Sequence, residues 1–219
     1  MENNNLEAQN KYIQDFLSLH QFSKESSSLE ILSQFLNLLL IKNNVMNLTS
    51  AKNIEELCEN HLRDSLELFH ALPEIIQEKE NLKILDIGSG GGFPGIVTAI
   101  VKKTWKVTML ESITKKANFL SEVIGQLSLE NAVVKNMRAE AYETKGNFRK
   151  FDIVTARAVG KIDYLYPIFK FFVNPNGRMV FWKKMDEVEP YLAKYPMKRQ
   201  NKHLYQVADG KKSILIFSL

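Results

Sequence analysis

A dense group of glycines constrains the fold of this chain more than any other feature. Five glycines fall within eight residues of the segment Asp86-Ile87-Gly88-Ser89-Gly90-Gly91-Gly92-Phe93-Pro94-Gly95. The first of these glycines directly follows the apolar run Lys83–Ile87, which is a predicted buried strand. A helical pattern begins at Pro94 and continues to about Lys102. Glycine allows a sharp turn and a close approach to a ligand because it has no Cβ. A glycine-rich turn between strand and helix predicts a nucleotide site, although a tight turn without a ligand would leave the same pattern.

After residue 80, short apolar runs alternate with helical patterns. Further strands are predicted at Lys106–Glu111, Asn131–Met137, Phe151–Ala156 and Arg178–Trp182, with helices at Thr114–Gly125 and Lys161–Phe172. The runs Leu204–Val207 and Ser213–Phe217 around Asp209-Gly210 predict an antiparallel hairpin. Strands that alternate with helices form parallel sheets with helices on both faces. The sequence therefore predicts an α/β fold that ends in a hairpin.

The first 80 residues predict helices. Ser27 and Glu30 form a capping-box pattern ahead of an apolar stripe at helical spacing. A second helix is predicted from about Ile54 to Leu72, closed by Pro73. We therefore expect two parts, a helical extension over residues 1–80 and an α/β domain over residues 81–219.

Composition excludes several classes of protein. Hydrophobic residues make up 45% of the 219 residues, which excludes wholesale disorder and a collagen-like chain. The single cysteine, Cys58, cannot form an internal disulfide or a zinc cluster, and this favours a reducing compartment. The polar start of the chain does not resemble a signal peptide, and no apolar run approaches the ~20 residues that span a bilayer. We expect a cytoplasmic protein without a metal or a membrane segment.

Charge is unevenly distributed along the chain. The net charge of +4 divides into −7 for residues 1–100 and +11 for residues 101–219. Cations gathered in one region favour a polyanionic partner such as a nucleic acid. Lysines that merely coat a solvated surface would produce the same split.

Two acidic residues bear on which ligand the glycine-rich turn would take. The segment Gly90–Gly95 formally fits the dinucleotide pattern G-x-G-x-x-G. Asp86, at the carboxyl end of the first strand, is a poor neighbour for a pyrophosphate and a good one for the cationic S-adenosylmethionine (SAM). Glu111, at the end of the second strand, suits ribose hydroxyls in either ligand. Asp86 therefore favours SAM over NAD.

Several segments together resemble the RsmG (GidB) family of 16S rRNA guanine-N7 methyltransferases. In order, they are Asn47-Leu48-Thr49, His61 with Asp64-Ser65-Leu66, the Asp86–Gly95 turn, Leu110-Glu111-Ser112 with Lys115-Lys116 and Phe119-Leu120, Arg138-Ala139-Glu140, and Asp152-Ile153-Val154-Thr155-Ala156-Arg157-Ala158. They span roughly residues 35–185. One departure is Lys183-Lys184, where the family usually has Lys-Gly.

This resemblance implies a class I SAM-dependent methyltransferase fold: a Rossmann-like, mostly parallel seven-stranded sheet with a C-terminal antiparallel hairpin. It implies SAM as the cofactor and 16S rRNA or the small ribosomal subunit as the partner. A monomer would suffice for this reaction, because no base has to be flipped out of a long duplex. The cofactor-binding residues that it implies are Gly88, Gly90 and Phe93 in the turn, Glu111 on the ribose, Ala139 and Glu140 near the adenine, and Arg157.

Methyl transfer to guanine N7 needs little from the protein beyond positioning. N7 carries no proton, so no general base is required, and no catalytic residue is assigned. Orientation alone can supply about 7–11 kcal/mol of barrier lowering. Arg157, after the fourth strand, could bind the SAM carboxylate, donate to guanine O6 or form a structural ion pair. Phe93 could stack on the methionine moiety or fill the core.

Other candidates are weaker. His61 and Ser65, one helical turn apart, could face the active-site mouth, and Asp64 could form a salt bridge with Arg63 or a lysine. Lys115 and Lys116 could touch phosphate. A late cluster could contact RNA or be solvated: Lys194, Lys198, Arg199 and Lys202, interleaved with Tyr191 and Tyr195. A methyltransferase acting on a protein or small molecule, and a non-catalytic RNA-binding module or NAD-type sensor, remain alternatives.

Overall fold

The computed structural model describes residues 2–20, 26–143, 146, 148–184, 200–207 and 210–218. Within these residues one seven-stranded sheet has the order β3-β2-β1-β4-β5-β7-β6. Strands β1 to β5 are parallel to one another, and β7 is antiparallel to both β5 and β6. The strands are β1 Lys83–Ile87, β2 Lys106–Leu110, β3 Ala132–Lys135, β4 Phe151–Ala156, β5 Val173–Lys184, β6 Gln200–Val207 and β7 Gly210–Ser218. The predicted α/β sheet with a terminal antiparallel hairpin is confirmed.

Helices precede the sheet and connect its parallel strands. They are α1 Glu2–Leu19, α2 Ser26–Met46, α3 Ile54–Leu57, α4 Arg63–Ala71, α5 Glu74–Gln77, α6 Gly95–Val101, α7 Thr114–Gln126, α8 Ala139–Glu143 and α9 Ile162–Phe172. A π-helical turn, Cys58–Leu62, joins α3 to α4. None of the helices in the described ranges is long and apolar enough to cross a bilayer.

Most predicted elements are confirmed, and the differences have local causes. The helix predicted from Ile54 to Leu72 exists but is interrupted by the π-helical turn, which apolar spacing does not reveal. Strand β5 begins at Val173, whereas the sequence predicted a start at Arg178. The prediction missed the first residues of this strand because they include Asn174-Pro175-Asn176-Gly177, a typical turn sequence. The hairpin strands are longer than predicted, and Asp209 lies outside the described residues.

The sheet buries both of its faces. On β1, Ile84 packs into a cluster with α1–α4, α6 and α7, whereas Leu85 packs into a cluster with α8 and α9. Successive side chains of a strand point to opposite faces, so alternate residues enter different clusters. The N-terminal helices thus share a core with one face of the sheet. The boundary at residue 80 stays a prediction.

Gly95 is expected to tolerate no side chain, because the start of α6 lies against β1 and β2. A Cβ at Gly95 would lie 2.6 Å from Met109 Cγ and 2.8 Å from Asp86 Oδ2. We predict that Gly95→Ala lowers the free energy of unfolding by about 1–3 kcal/mol through overpacking. Urea denaturation followed by circular dichroism measures this change.

Gly125→Ala is the matched control, since Gly125 is an exposed position within α7 and a Cβ there would meet nothing within 4 Å. Removing a helical glycine should raise the free energy of unfolding by roughly 0.5–1 kcal/mol. Equal effects of the two substitutions would show that close packing at Gly95 is not the reason.

Candidate cofactor-binding site

A cavity of about 150 Å³ lies at the carboxyl edge of the sheet. Its lining combines the ends of β1 and β2, the start of α8, and the loop and helix after β4. Open α/β sheets bind ligands outside the carboxyl ends of their strands, so we take this cavity as the candidate site. A larger groove, of about 770 Å³, lies between α1, α2 and α7, away from these strand ends. Of the predicted cofactor-binding residues, Gly88, Ala139 and Glu140 line the cavity at the strand ends.

The glycine-rich turn brings the backbone close to the loop after β4. Gly88 has a φ of +72°, and a Cβ there would lie 2.5 Å from Val159 Cγ2. Its N–H donates to the carbonyl oxygen of Leu110 at 2.8 Å. A side chain at Gly88 would therefore be strained and would collide with a wall of the cavity. The group that approaches the backbone closely here is the Val159 side chain, and a close approach by a ligand stays a prediction.

Glu111 holds two loops together at the edge of the cavity. One of its carboxylate oxygens accepts from the N–H of Gly90 at 2.9 Å, and the other accepts from the N–H of Ile113 at 2.7 Å. The side chain is buried. Each carboxylate oxygen can accept a second hydrogen bond, so the group keeps the acceptor capacity that two ribose hydroxyls require. Gly90 contacts Glu111 in this way but does not line the cavity, and its role in cofactor binding stays a prediction.

Asp86 does not face a ligand, and this corrects the expectation from the sequence. Its carboxylate is buried, where it accepts from Thr155 Oγ1 at 2.8 Å and from the N–H of Gly95 at 3.2 Å. Burial raises the pKa of this carboxyl group, and hydrogen bonds from Ser89, Thr155 and Gly95 oppose the rise. Asp86 joins β1, β4 and the start of α6, so its charge does not discriminate directly between SAM and NAD.

Phe93 fills the core beneath the turn. Its ring stacks on His61, with centroids 5.2 Å apart, and it packs against Phe35 at 5.3 Å. The guanidinium of Arg157 lies over the same ring, 5.5 Å from its centroid. This geometry corresponds to the core-filling alternative, and a contact of Phe93 with a cofactor stays a prediction.

Arg157 turns from the end of β4 towards the N-terminal helices. Its Nη1 donates to Asp64 Oδ2 at 2.9 Å and to the carbonyl oxygen of Asn60 at 3.1 Å, and its Nη2 donates to His61 Nδ1 at 2.6 Å. The structural ion pair that the sequence left open is therefore present. The buried Nε of Arg157 has no hydrogen-bond partner among the described residues.

Asp64 is the centre of a buried polar cluster, which we call the Asp64 cluster and which also contains Arg157, Tyr205 and Lys212. Tyr205 Oη donates to Asp64 Oδ1 at 2.9 Å, and Lys212 Nζ donates to Oδ2 at 2.9 Å. The indole of Trp182 donates to the backbone carbonyl of Asp64 at 2.9 Å. One helical carboxylate is therefore bonded to the loop after β4, to β6 and to β7.

The sequence predicted a salt bridge of Asp64 with Arg63 or with a lysine, and the lysine is confirmed, since Lys212 Nζ lies 2.9 Å from Asp64 Oδ2. Arg63 lies instead within 3.7 Å of Glu59 and of Glu67. The contributions of Trp182 and Tyr205 were missed, because aromatic residues in apolar strands carry no polar signal. An acidic residue on the buried face of a predicted helix is the one feature that could have pointed to the cluster.

His61 is neutral and its tautomer is determined by its neighbours. Burial, with the positive charges of Arg157 and Lys212, lowers its pKa to about 3. Because Nδ1 accepts from Arg157, the proton resides on Nε2, which donates to Thr49 Oγ1 at 2.5 Å. His61 thus links Arg157 to the segment after α2.

The weaker candidates are dispersed. Ser65 is buried, and its hydroxyl donates to the carbonyl oxygen of His61 within the helix, so it does not face the site. Lys115 is exposed, Lys116 is half-buried, and Lys202 is exposed on β6. Lys183 Nζ donates to the carbonyl oxygen of Gly160 at 3.3 Å. Residues Tyr191, Lys194, Tyr195, Lys198 and Arg199 lie outside the described residues.

The described residues hold no group of three or more His, Cys, Asp or Glu side chains with the geometry of a metal site. Cys58 is a buried free thiol whose pKa is raised by burial and by the charges of Glu59 and Glu55. It lies in the π-helical turn, away from the cavity. Neither finding assigns a chemical role to this cysteine.

We expect Asp64→Asn to destabilise the protein strongly, since Arg157 and Lys212 would lose their buried counter-charge. Breaking a buried pair typically costs about 3–5 kcal/mol in the free energy of unfolding. The control is Glu122→Gln, which removes a half-exposed ion pair with Lys42 and should cost less than about 1 kcal/mol. Chemical denaturation of both variants measures the difference, and a loss at Asp64 no larger than that of the control would contradict the prediction.

The low pKa of His61 predicts a specific loss of stability in acid. The unfolded chain takes up a proton at this histidine as the pH falls through about 6.5, whereas the folded chain resists protonation until about pH 3. The stabilisation is complete above pH 6.5 and declines by up to about 1.4 kcal/mol per pH unit below it.

The predicted loss of stability in acid is tested by measuring the free energy of unfolding of the wild-type protein and of His61→Gln between pH 7 and pH 4. Glutamine can still accept from Arg157 and donate to Thr49, but it does not titrate. The variant should show a shallower decline than the wild type. Identical slopes would mean that His61 is not responsible.

Comparison with known proteins identifies the family to which this chain belongs. A family model described as "rRNA small subunit methyltransferase G" (GidB) matches residues 28–215. A protein named Ribosomal RNA small subunit methyltransferase G from Sorangium cellulosum is 41% identical over 152 residues, 69% of this chain and 62% of that protein. Its namesake from Halorhodospira halophila is 34% identical over 186 residues, 85% of this chain and 83% of that protein.

Solved structures support the fold. A SAM-dependent methyltransferase from Aquifex aeolicus has a TM-score of 0.56 at 14% identity, covering 79% of this chain and 97% of that one. The METTL16 methyltransferase domain has a TM-score of 0.61 at 13% identity, covering 85% and 79%. The aligned region is less than two thirds of the Sorangium protein, but the family model spans most of this chain. The chain belongs to the GidB family, whose model is described as rRNA small subunit methyltransferase G.

Proposed function

We propose that this protein transfers the methyl group of S-adenosylmethionine to N7 of a single guanine in 16S rRNA. Its membership of the GidB family carries the proposal. The cavity at the carboxyl edge of the sheet, between the glycine-rich turn and α8, supports a nucleoside-bearing cofactor. SAM, when bound, supplies an electrophilic methyl group on a sulfonium ion.

The residues at the cavity fit the parts of this cofactor. Glu111 keeps unused acceptor capacity and sits where a ribose lies in such sheets. Gly88 preserves the shape of the cavity wall, because a Cβ there would lie 2.5 Å from Val159 Cγ2 and would force one of the two lining residues to shift. Ala139 and Glu140 form the wall of the cavity on the β3 side, where the base would extend. We assign adenine binding to this wall.

Arg157 can bind an anionic group without leaving the Asp64 cluster. Its two Nη atoms bond to Asp64 and His61, but its buried Nε has no acceptor among the described residues. A buried donor without a partner costs roughly 1–3 kcal/mol, and a carboxylate reaching Nε would remove this cost. We assign the carboxylate of SAM to this position.

The chemistry requires positioning rather than proton transfer. The N7 lone pair of guanine is available at neutral pH, so an in-line displacement needs no base. Holding the two reactants in line can supply about 7–11 kcal/mol. Neutral His61, bonded to both Arg157 and Thr49, serves to fix the arginine rather than to accept a proton.

The distribution of charge supports an RNA substrate. Exposed cations occur near the strand ends that form the cavity, at Lys115, Arg138 and Lys161. Phosphates bind such residues with little sequence preference and a strong dependence on salt. Guanine N7 is hidden in the narrow major groove of A-form RNA, so the substrate is a looped or unpaired guanine. We further propose that the enzyme acts as a cytoplasmic monomer on 16S rRNA or the small subunit.

Methyl transfer is tested by incubating the protein with labelled SAM and small-subunit RNA from cells that lack the modification. The labelled RNA is then cleaved by reductive aniline treatment, which cuts at 7-methylguanine. We expect one cleavage site. Transfer without cleavage, or transfer to a protein or small molecule only, would overturn the proposal.

The variant Glu111→Gln provides a control that is independent of the RNA. It removes the charge that strengthens hydrogen bonds to ribose hydroxyls, each worth about 1.5–3 kcal/mol. SAM affinity measured by calorimetry should fall by about tenfold or more. The matched variant Glu122→Gln, on α7 and outside the cavity lining, should bind SAM within about twofold of the wild type.

A further inference from the structure

Tyr164 and Glu140 join two walls of the candidate cofactor cavity. Tyr164 lies in the first turn of α9, and Glu140 lies in α8. Both residues line the cavity, and the hydroxyl of Tyr164 donates to Oε1 of Glu140. No motif in the sequence points to Tyr164 as part of the site, because its position matches that of an ordinary residue in an apolar helix.

The backbone around Tyr164 is anchored by a hydrogen bond and by the packing of its neighbours. Its backbone N–H donates to the carbonyl oxygen of Lys161 at 3.1 Å. Its neighbour Leu165 is buried in the core of that face, and the tyrosine ring lies beside Gly160. About half of Tyr164 is exposed, and Glu140 is exposed as well. The pair therefore forms the solvent-facing edge of the cavity, supported by an anchored helix.

This bond determines what Glu140 offers to a ligand. An ionised carboxylate only accepts hydrogen bonds, and here one oxygen is engaged by Tyr164. The second oxygen remains an acceptor at the wall where the purine base would lie. A 6-amino purine presents a donor at that edge, whereas a 6-oxo purine presents an acceptor and would face the carboxylate unfavourably.

We propose that Tyr164 is a positioning residue that orients Glu140 and thereby makes the cavity selective for adenine over a 6-oxo purine. An exposed glutamate without this bond samples several rotamers in water, which costs entropy when a ligand requires one of them. The inference rests on the proposed use of SAM and extends it to the recognition of the base.

The test measures binding of two non-reactive nucleosides by calorimetry, S-adenosylhomocysteine and its inosine counterpart. Wild-type protein should bind the adenine compound at least about tenfold more tightly. Tyr164→Phe keeps the ring and should weaken adenine binding by about three- to tenfold, while the inosine compound changes by less than about twofold. The ratio of the two affinities should therefore fall.

Two further variants separate orientation from shape. Glu140→Gln offers an amide donor to the 6-oxo group, so it should improve inosine binding and reduce the ratio. In that background, Tyr164→Phe should have a smaller effect than in the wild type, as expected for coupled residues. Tyr166→Phe, on the same helix but not lining the cavity, should leave both affinities unchanged.

Three outcomes would overturn the inference. An unchanged ratio in Tyr164→Phe would show that the hydroxyl does not select the base. Equal losses for both nucleosides would show that the tyrosine only shapes the cavity. If the wild-type protein bound neither nucleoside, the proposed function itself would fail, and the recognition of adenine would fail with it.

Discussion

The Asp64 carboxylate is the interaction on which the arrangement of helices, sheet and site depends. A buried carboxylate is unfavourable unless it is paired and hydrogen-bonded. Asp64 meets this requirement only when α4 lies where Arg157, Tyr205 and Lys212 can reach it together. Since these partners come from the loop after β4 and from the hairpin, the contact couples the N-terminal helices to both the centre and the edge of the sheet.

The same contact fixes the side chains that pack beneath the glycine-rich turn. Arg157 is held by Asp64 and His61, and its guanidinium covers Phe93 beneath the glycine-rich turn. The turn is held in its own way by Glu111, which bonds to the N–H of Gly90. The glycine-rich turn is therefore held from two sides, by Arg157 packed over Phe93 and by the Glu111 carboxylate that follows β2.

Sequence reasoning succeeded where a local pattern had one structural solution. Strands β1 and β4 have the predicted ends, because their apolar runs must be buried in a parallel sheet. The glycine-rich turn was equally predictable, since Gly88 adopts a positive φ and has no room for a side chain. Glu111 was placed correctly at the end of β2, next to the cavity.

Reasoning from residue type failed where function depends on the direction of a side chain. Asp86 was expected to face a ligand, but its carboxylate turns inward to the N–H of Gly95 and the hydroxyl of Thr155. Tyr164 was overlooked, although its hydroxyl meets Glu140 at the cavity. The position of a residue at a strand end can be predicted from the sequence. Packing decides whether its side chain turns into the protein core or towards the cavity.

The sequence by itself determined the α/β class, the place of the glycine-rich turn and the family, because these depend on short segments and their order. Only the tertiary structure decided that Arg157 pairs with Asp64, that His61 is neutral, and that Tyr164 supports Glu140. Those contacts join residues between 24 and 96 positions apart. No local rule of propensity or spacing encodes them, since they exist only when helices and strands pack against each other.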